Sequence, residues 1–251
     1  MSARRAPRAL LAALALLPGA ALLSCADHAA PRGAVFHVTP VRPVAELLAG
    51  ALAATPPVES GEFRPADLVE LTSLDPTIRL DIRYASSANL LGTPLYSEAR
   101  AFLQRPAAEA LVRVERSLAR EGYGLLVHDA YRPWYVTKLF WDAVPPDLHR
   151  YVADPAVGSR HNRGCAVDLT LYDLKTGREI AMPSLYDETT ERAWPGYTGG
   201  TAAQRAARDL LRRHMEAEGF TVYEFEWWHF DYRDWQSYAI QNARFEDLRP
   251  R

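Results

Sequence analysis

Apolar and polar residues alternate through Ile78-Arg79-Leu80-Asp81-Ile82-Arg83-Tyr84, the period-two pattern of a strand with one wet face. Further along the period lengthens. Ala110, Leu111, Val114 and Leu118 recur at helical spacing behind Pro106, which suits a first helical position, and Gly122 lies just past the end of the run. Tyr123 to Val127 reads as a short buried strand, Pro133 to about Ala143 as a helix, and Cys165 to Tyr172 as a continuous apolar, β-favouring strand that enters the core. Thr201 and Gln204 have capping-box spacing, and their helix runs to about Glu218 with Gly219 as its stop. Phe220 to Phe225 is the next strand. Asn89–Tyr96 and Val144–Gly158 read as loops, and residues 181–200, with Pro, Gly and aromatics, as a long surface loop of the kind that carries function. Helices and strands mix without a βαβ rhythm. The order predicts an α+β fold, a mostly antiparallel central sheet flanked by helices.

The first residues follow a different pattern. Arg4, Arg5 and Arg8 precede an apolar run from Ala9 to Leu23, which Pro18 and Gly19 interrupt. That run is short for a membrane span and has the shape of a secretory signal. It ends in Leu22-Leu23-Ser24-Cys25, which resembles a bacterial lipobox; ordinary cleavage nearby, with Cys25 incidental, is the plainer alternative. The expected organisation is a lipoprotein signal peptide over 1–24, a tether over 25–66 that is rich in Ala, Pro and Gly with a short helical patch at Val44–Ala53, and one domain over 67–251. The expected location is the bacterial cell envelope on the periplasmic side, with membrane contact only through a lipid on Cys25.

Charge narrows the partners. The chain carries a formal net charge of −2, and the leader takes away three arginines, so what remains has no basic surplus to favour nucleic acid. Of the two cysteines, Cys25 and Cys165, the second reads as a buried small hydrophobe, and lipidation of the first leaves no disulfide to form.

Two knots of residues carry the chemistry. In Ser159-Arg160-His161-Asn162-Arg163-Gly164-Cys165-Ala166-Val167-Asp168, a polar loop turns into an apolar strand that holds an aspartate, which is expensive to bury unless it is paired or bound to a metal. In Glu224-Phe225-Glu226-Trp227-Trp228-His229-Phe230, a histidine follows a carboxylate three residues earlier. His161, Asp168 and His229 together make a three-ligand zinc set with a fourth position open, the pattern of a catalytic site; buried His–Asp pairs also occur as structural features. Residues three apart lie on opposite faces of a regular strand, so Glu226 and His229 can serve one site only where the strand ends, turns or bulges at Trp227-Trp228. Of the other histidines, His28 and His37 fall in the tether, His149 and His214 read as surface or helix-flank residues, and His128 as a structural one.

Ser159-x-His161-x-x-Gly164-x-Ala166-x-Asp168 with Glu226-Trp227-Trp228-His229 resembles the zinc D-alanyl-D-alanine dipeptidases, the group that includes the vancomycin-resistance dipeptidase. Asp81-x-Arg83-Tyr84-Ala85, Gly122-Tyr123-Gly124-Leu125-Leu126, Asp129-x-Tyr131-Arg132-Pro133 and Asp168-Leu169-Thr170-Leu171-Tyr172 support the match in family order. The resemblance implies the zinc D,D-peptidase, hedgehog-like fold, a Zn2+ cofactor and the free dipeptide D-Ala-D-Ala as substrate. It implies His161, Asp168 and His229 as ligands, Glu226 as general base and acid, and Arg132 as stabiliser of the developing oxyanion; an ion pair of Arg132 with Asp129 is the structural alternative. Tyr84, Ser159 and Asp187 match positions that hold the substrate ammonium. The chain departs from the family at Leu91, where an aromatic residue is common, and at Cys165, which is often Ser or Ala. A zinc D,D-carboxypeptidase acting on peptidoglycan stems and a metal-dead binding protein of the same fold are the rivals.

Overall fold

The structure, a computed structural model, describes residue 1 and residues 35–248; the basic leader and Cys25 lie outside the described residues. In chain order the elements are α1 (Val44–Ala53), β1 (Leu68–Glu70), α2 (Leu71–Leu74), β2 (Arg79–Leu80), β3 (Phe102–Gln104), α3 (Arg105–Ala119) and β4 (Tyr123–Asp129). They continue with α4 (Trp134–Ala143), β5 (Ala166–Asp173), α5 (Ala202–Ala217), β6 (Phe220–Tyr223) and β7 (Glu226–Tyr232). A five-stranded sheet runs in the order β2-β4-β5-β7-β6, and β1 pairs with β3 in a separate two-stranded ribbon. All pairings are antiparallel except β2 with β4. This is the expected α+β architecture with a mostly antiparallel sheet.

Local chemistry explains the elements. Pro106 sits in the first turn of α3, where its missing N–H costs nothing. Ala110, Leu111, Val114 and Leu118 turn one stripe of that helix into the core. At the start of α5, Thr201 Oγ1 accepts from the Gln204 N–H at 3.2 Å and Gln204 Oε1 accepts from the Thr201 N–H at 2.8 Å, a complete capping box. These two helices pack against each other and onto the sheet. Strand β5 is buried along its length except at its last residue, as its unbroken apolar run requires.

Three expectations are corrected. The alternating run Ile78–Tyr84 yields only Arg79–Leu80 as strand, followed by a 3₁₀ turn at Arg83–Ala85. The alternation was a true burial signal, since Ile78, Ile82 and Tyr84 all face inward. At the sheet edge, however, the backbone peels away after Asp81, whose N–H still reaches Val127 O, and swings Tyr84 under the fold. Second, Phe220–Phe225 ends as a strand at Tyr223, and Glu226–Tyr232 returns as its hairpin partner.

Third, the stretch read as a tether is, from Val35 on, packed onto the body. The helical patch at Val44–Ala53 forms, with Leu47 and Ala51 buried as it lies on α4. The Glu59 carboxylate then accepts from Arg163 and from the Ile240 N–H, both at 2.6 Å. An alanine-rich helix with only two inward residues has too little periodicity to announce its docking face. Among the described residues no helix is long and apolar enough to cross a membrane.

Candidate active site

The site is assembled by strand pairing. Asp168 on β5 and His229 on β7 are direct partners across the ladder, which places their side chains side by side. His161 arrives from a 3₁₀ turn, His161–Arg163, that Gly164 closes at φ +70°. A side chain at Gly164 would be strained in that left-handed conformation and would run into Leu68, so glycine is required for the loop to fold back.

His161 Nε2, His229 Nδ1 and one Asp168 oxygen converge. The two nitrogens are 3.1 Å apart, and Asp168 Oδ1 lies 3.3 Å from the first and 3.0 Å from the second. All three residues are buried, and Asp168 Oδ1 makes no hydrogen bond to any group, which is the state of a ligand atom facing a cation position. The outer atoms are each held: His161 Nδ1 by Ala130 O at 2.6 Å, His229 Nε2 by Asp231 Oδ1 at 2.9 Å, and Asp168 Oδ2 by the Tyr186 hydroxyl at 2.9 Å. Such outer contacts fix the ring orientation of metal ligands. Two imidazole nitrogens and a carboxylate oxygen suit a divalent metal of the zinc type.

Electrostatics agree with close packing of opposite charges. Burial alone would raise the Asp168 carboxyl, but His161 and His229 hold it well below the usual carboxylate range. Burial works against a charged His229, yet Asp231 and Asp168 on either side push it up to about 10.

Glu226 comes within 3.7 Å of His229 despite the unfavourable spacing. The reason is a slip in the hairpin: Val222 pairs with Phe230, but the next residue, Tyr223, pairs with Glu226. Trp227, Trp228 and His229 therefore form the extra stretch, and the expected irregularity falls where the sequence required it. Burial, reinforced by Asp168 and Asp187, pushes the Glu226 carboxyl up to about 8.

Arg132 leaves the end of β4 and lies 5.1 Å over the Tyr84 ring and 5.2 Å over Phe140. It donates through Nε to Asp129 Oδ2 at 2.8 Å, its Nη2 forms an ion pair with the same oxygen at 2.8 Å, and Asp129 Oδ1 accepts from the Tyr96 hydroxyl at 2.7 Å. The ion pair with Asp129 and a place in the site coexist: the carboxylate holds the guanidinium, and the guanidinium lines the cavity.

Asp187 is the one non-glycine residue at positive φ among the described residues, at 61°. Its Oδ1 accepts from the Tyr84 hydroxyl at 2.9 Å, while the buried Oδ2 has no partner. Burial, with the Asp168 charge behind it, raises this carboxyl to about 7. A left-handed backbone and an orphaned buried oxygen thus fall on one residue. Ser159 lines the same cavity, but its Oγ accepts from the His161 N–H at 3.2 Å, so it also caps the turn that carries that histidine. The cavity these residues share measures about 500 Å³, and its lining also includes Arg150, Trp235 and the exposed Val157.

Sequence reasoning missed Tyr186 and Asp231. Asp231 lies two residues beyond His229 on one strand, hence on the same face, and that period was a usable signal. Tyr186 had none, since loop 181–200 is brought in by tertiary contacts, including the Trp227 indole N–H to Ser184 Oγ at 2.8 Å. His128, read as structural, is buried beside Asp81 and Glu179 and is not in the ligand cluster.

Burial and the Arg83 charge push His128 down to about 4. Unfolding frees it to titrate near 6.5, so below that pH the unfolded chain takes up the extra proton. Stability is full above pH 6.5 and is lost as pH falls toward 4. Urea titrations of wild type and His128→Phe should diverge by about 2–3 kcal/mol between pH 7 and 4.5, the wild type losing more.

The family described as D-ala-D-ala dipeptidase matches residues 64–247. The D-alanyl-D-alanine dipeptidase of Escherichia coli (strain K12) is 34% identical over 179 residues, covering 71% of this chain and 91% of that protein. The D-alanyl-D-alanine dipeptidase of Enterococcus faecium is 36% identical over 178 residues, 62% of this chain and 87% of that one. That of Streptomyces coelicolor is 33% identical over 193 residues, with coverages of 70% and 93%.

Proposed function

Because the chain belongs to the D-ala-D-ala dipeptidase family of metal-dependent peptidases, we propose that it hydrolyses free D-Ala-D-Ala to two D-alanines. The observation that carries this reading is the placement, around one cavity, of the His161–Asp168–His229 cluster with Glu226 and Arg132. His161 Nε2, His229 Nδ1 and Asp168 would hold Zn2+, which supplies Lewis-acid polarisation of the scissile carbonyl and a lowered water pKa near 7.

The protein's own groups supply the rest. Glu226 accepts the proton of the attacking water and returns it to the leaving amine, a shuttle that suits a carboxyl raised toward neutrality. Arg132, locked by Asp129, presents a fixed cation to the oxyanion as it develops, so no reorganisation is needed in the transition state. Asp187 Oδ2 receives the ammonium, with Tyr84 holding the other oxygen.

This ammonium seat makes a prediction. Acylating the substrate nitrogen removes its charge and leaves Asp187 without a partner, which costs about 1–3 kcal/mol. N-acetyl-D-Ala-D-Ala should be cleaved at least about tenfold less efficiently than D-Ala-D-Ala. In Asp187→Ala that preference should shrink, because only the free dipeptide loses an interaction; comparing kcat/KM for both substrates in both proteins checks it.

A cavity lining that reaches the surface at Val157 favours one second reading, a carboxypeptidase that trims stem peptides. Product analysis after incubation with D-Ala-D-Ala and, separately, a stem pentapeptide decides between them: dipeptidase activity predicts D-alanine from the first alone. We further propose export to the cell envelope with a lipid on Cys25, supported by the basic and apolar leader. Mass spectrometry of the mature N-terminus should find lipidated Cys25 as residue one, and an unmodified start elsewhere would reject the anchor.

A further inference from the structure

The loop over 181–200 delivers a hydroxyl to the cluster that no motif announced. Tyr186 Oη lies 2.9 Å from Asp168 Oδ2 and 3.1 Å from the Tyr84 hydroxyl. Tyr84 in turn donates to Asp187 Oδ1 at 2.9 Å. The four groups form a chain, Asp168–Tyr186–Tyr84–Asp187, which runs from the metal cluster to the ammonium seat.

The two Asp168 oxygens have different surroundings. Oδ1 faces the imidazoles and has no hydrogen-bond donor, whereas Oδ2 takes the phenol of Tyr186. Arg132 Nη2 stands farther from Oδ2, at 3.6 Å, beyond hydrogen-bond reach. A carboxylate free to turn about its last bond presents either oxygen, or neither, toward a cation. One oxygen pinned by a phenol leaves the other aimed.

The phenol is itself well held. The Tyr186 ring packs edge-on to Trp228, centroids 5.5 Å apart, and lies 4.8 Å from the ring of His128. Each tyrosine has one proton to donate. With Tyr186 donating to Asp168 and Tyr84 donating to Asp187, each carboxylate is served by one phenol, and the 3.1 Å contact sets the two phenols against each other.

We propose that Tyr186 is a positioning residue that orients the Asp168 carboxylate for the cation. The role rests on the metal-dependent dipeptidase reading above, but it concerns a contact between two side chains of this chain. Tyr186→Phe removes the hydroxyl and keeps the ring packing on Trp228 and His128, so the fold is retained.

The test uses the full chain, stripped of metal and titrated with Zn2+ against a chelating chromophore. Partners that orient a ligand typically contribute 10–100-fold in metal affinity, and that loss is expected in Tyr186→Phe. Saturating Zn2+ should restore its turnover of D-Ala-D-Ala toward wild type, and its metal-free melting temperature should match wild type, which a merely structural role would not produce. Tyr84→Phe should show the opposite division, with a smaller loss of Zn2+ affinity and a raised KM. Unchanged Zn2+ affinity in Tyr186→Phe, or lost turnover that saturating Zn2+ does not restore, would overturn the proposal. If the wild type binds Zn2+ yet leaves D-Ala-D-Ala intact, the substrate reading falls while the titration still judges Tyr186. A wild-type chain that binds no Zn2+ removes both.

Discussion

His229→Ala is expected to leave the chain without its metal and without measurable turnover. His229 is the point where the two strands bring the ligands together, directly across the ladder from Asp168 and 3.1 Å from His161 Nε2. Its loss leaves two donors, too few for a site that needs three protein ligands and an open position. Elemental analysis of the purified variant checks this, and wild-type metal content would remove the site. The variant should also be less stable. In the metal-free chain the imidazole sits between Asp168 at 3.0 Å and Asp231 at 2.9 Å, and removing one partner from a buried charged group costs about 3–5 kcal/mol. Denaturant titration of the metal-free proteins measures that difference apart from any metal effect.

Glu226→Gln is expected to divide those two properties. The amide keeps the size of the carboxyl but cannot carry the proton, so metal content should stay at the wild-type level while kcat falls by about 10²–10⁴-fold, the usual contribution of general acid–base transfer. Retention of metal is expected because Glu226 stands 3.7 Å from His229 and outside the three-residue cluster. Near-normal turnover would mean that another group carries the proton. Burial pushes this carboxyl up to about 8 from its ordinary 4.5, so it destabilises the folded chain increasingly as pH rises through that window. The neutral amide removes that penalty, and the variant should be at least as stable as wild type, with the largest gain at and above pH 8.

The clearest elements in the sequence were those whose information is local. The capping box of α5, the stripe of α3 and the apolar run of β5 each follow from spacing within one segment, and the structure contains all three. The cluster was legible for the same reason. An aspartate inside a buried strand and a histidine one glycine turn upstream restrict each other within a few residues, and Glu226 with His229 needed only a bulge that the sequence could demand. Edges and ends were less legible. The strand expected at Ile78–Tyr84 stops after two residues because it has a single neighbour, and nothing in its own alternation says how far that neighbour runs. The docking of residues 35–66 depends on α4 and on Arg163, which lie far along the chain.

By itself, then, the sequence determined the fold class, most of the helix boundaries and the two local knots, His161 with Asp168 and Glu226 with His229, because period, capping and burial of a charged group act over short spans of chain. The pairing of β5 with β7 joined the knots into one cluster. Tertiary structure alone decided what those residues touch. Tyr186 behind both Asp168 and Tyr84 is set by where loop 181–200 comes to rest. Those contacts join side chains up to 102 residues apart. Hydrogen bonds reach about 3 Å in space and have no reach along a sequence, so partners at that separation leave no periodic trace.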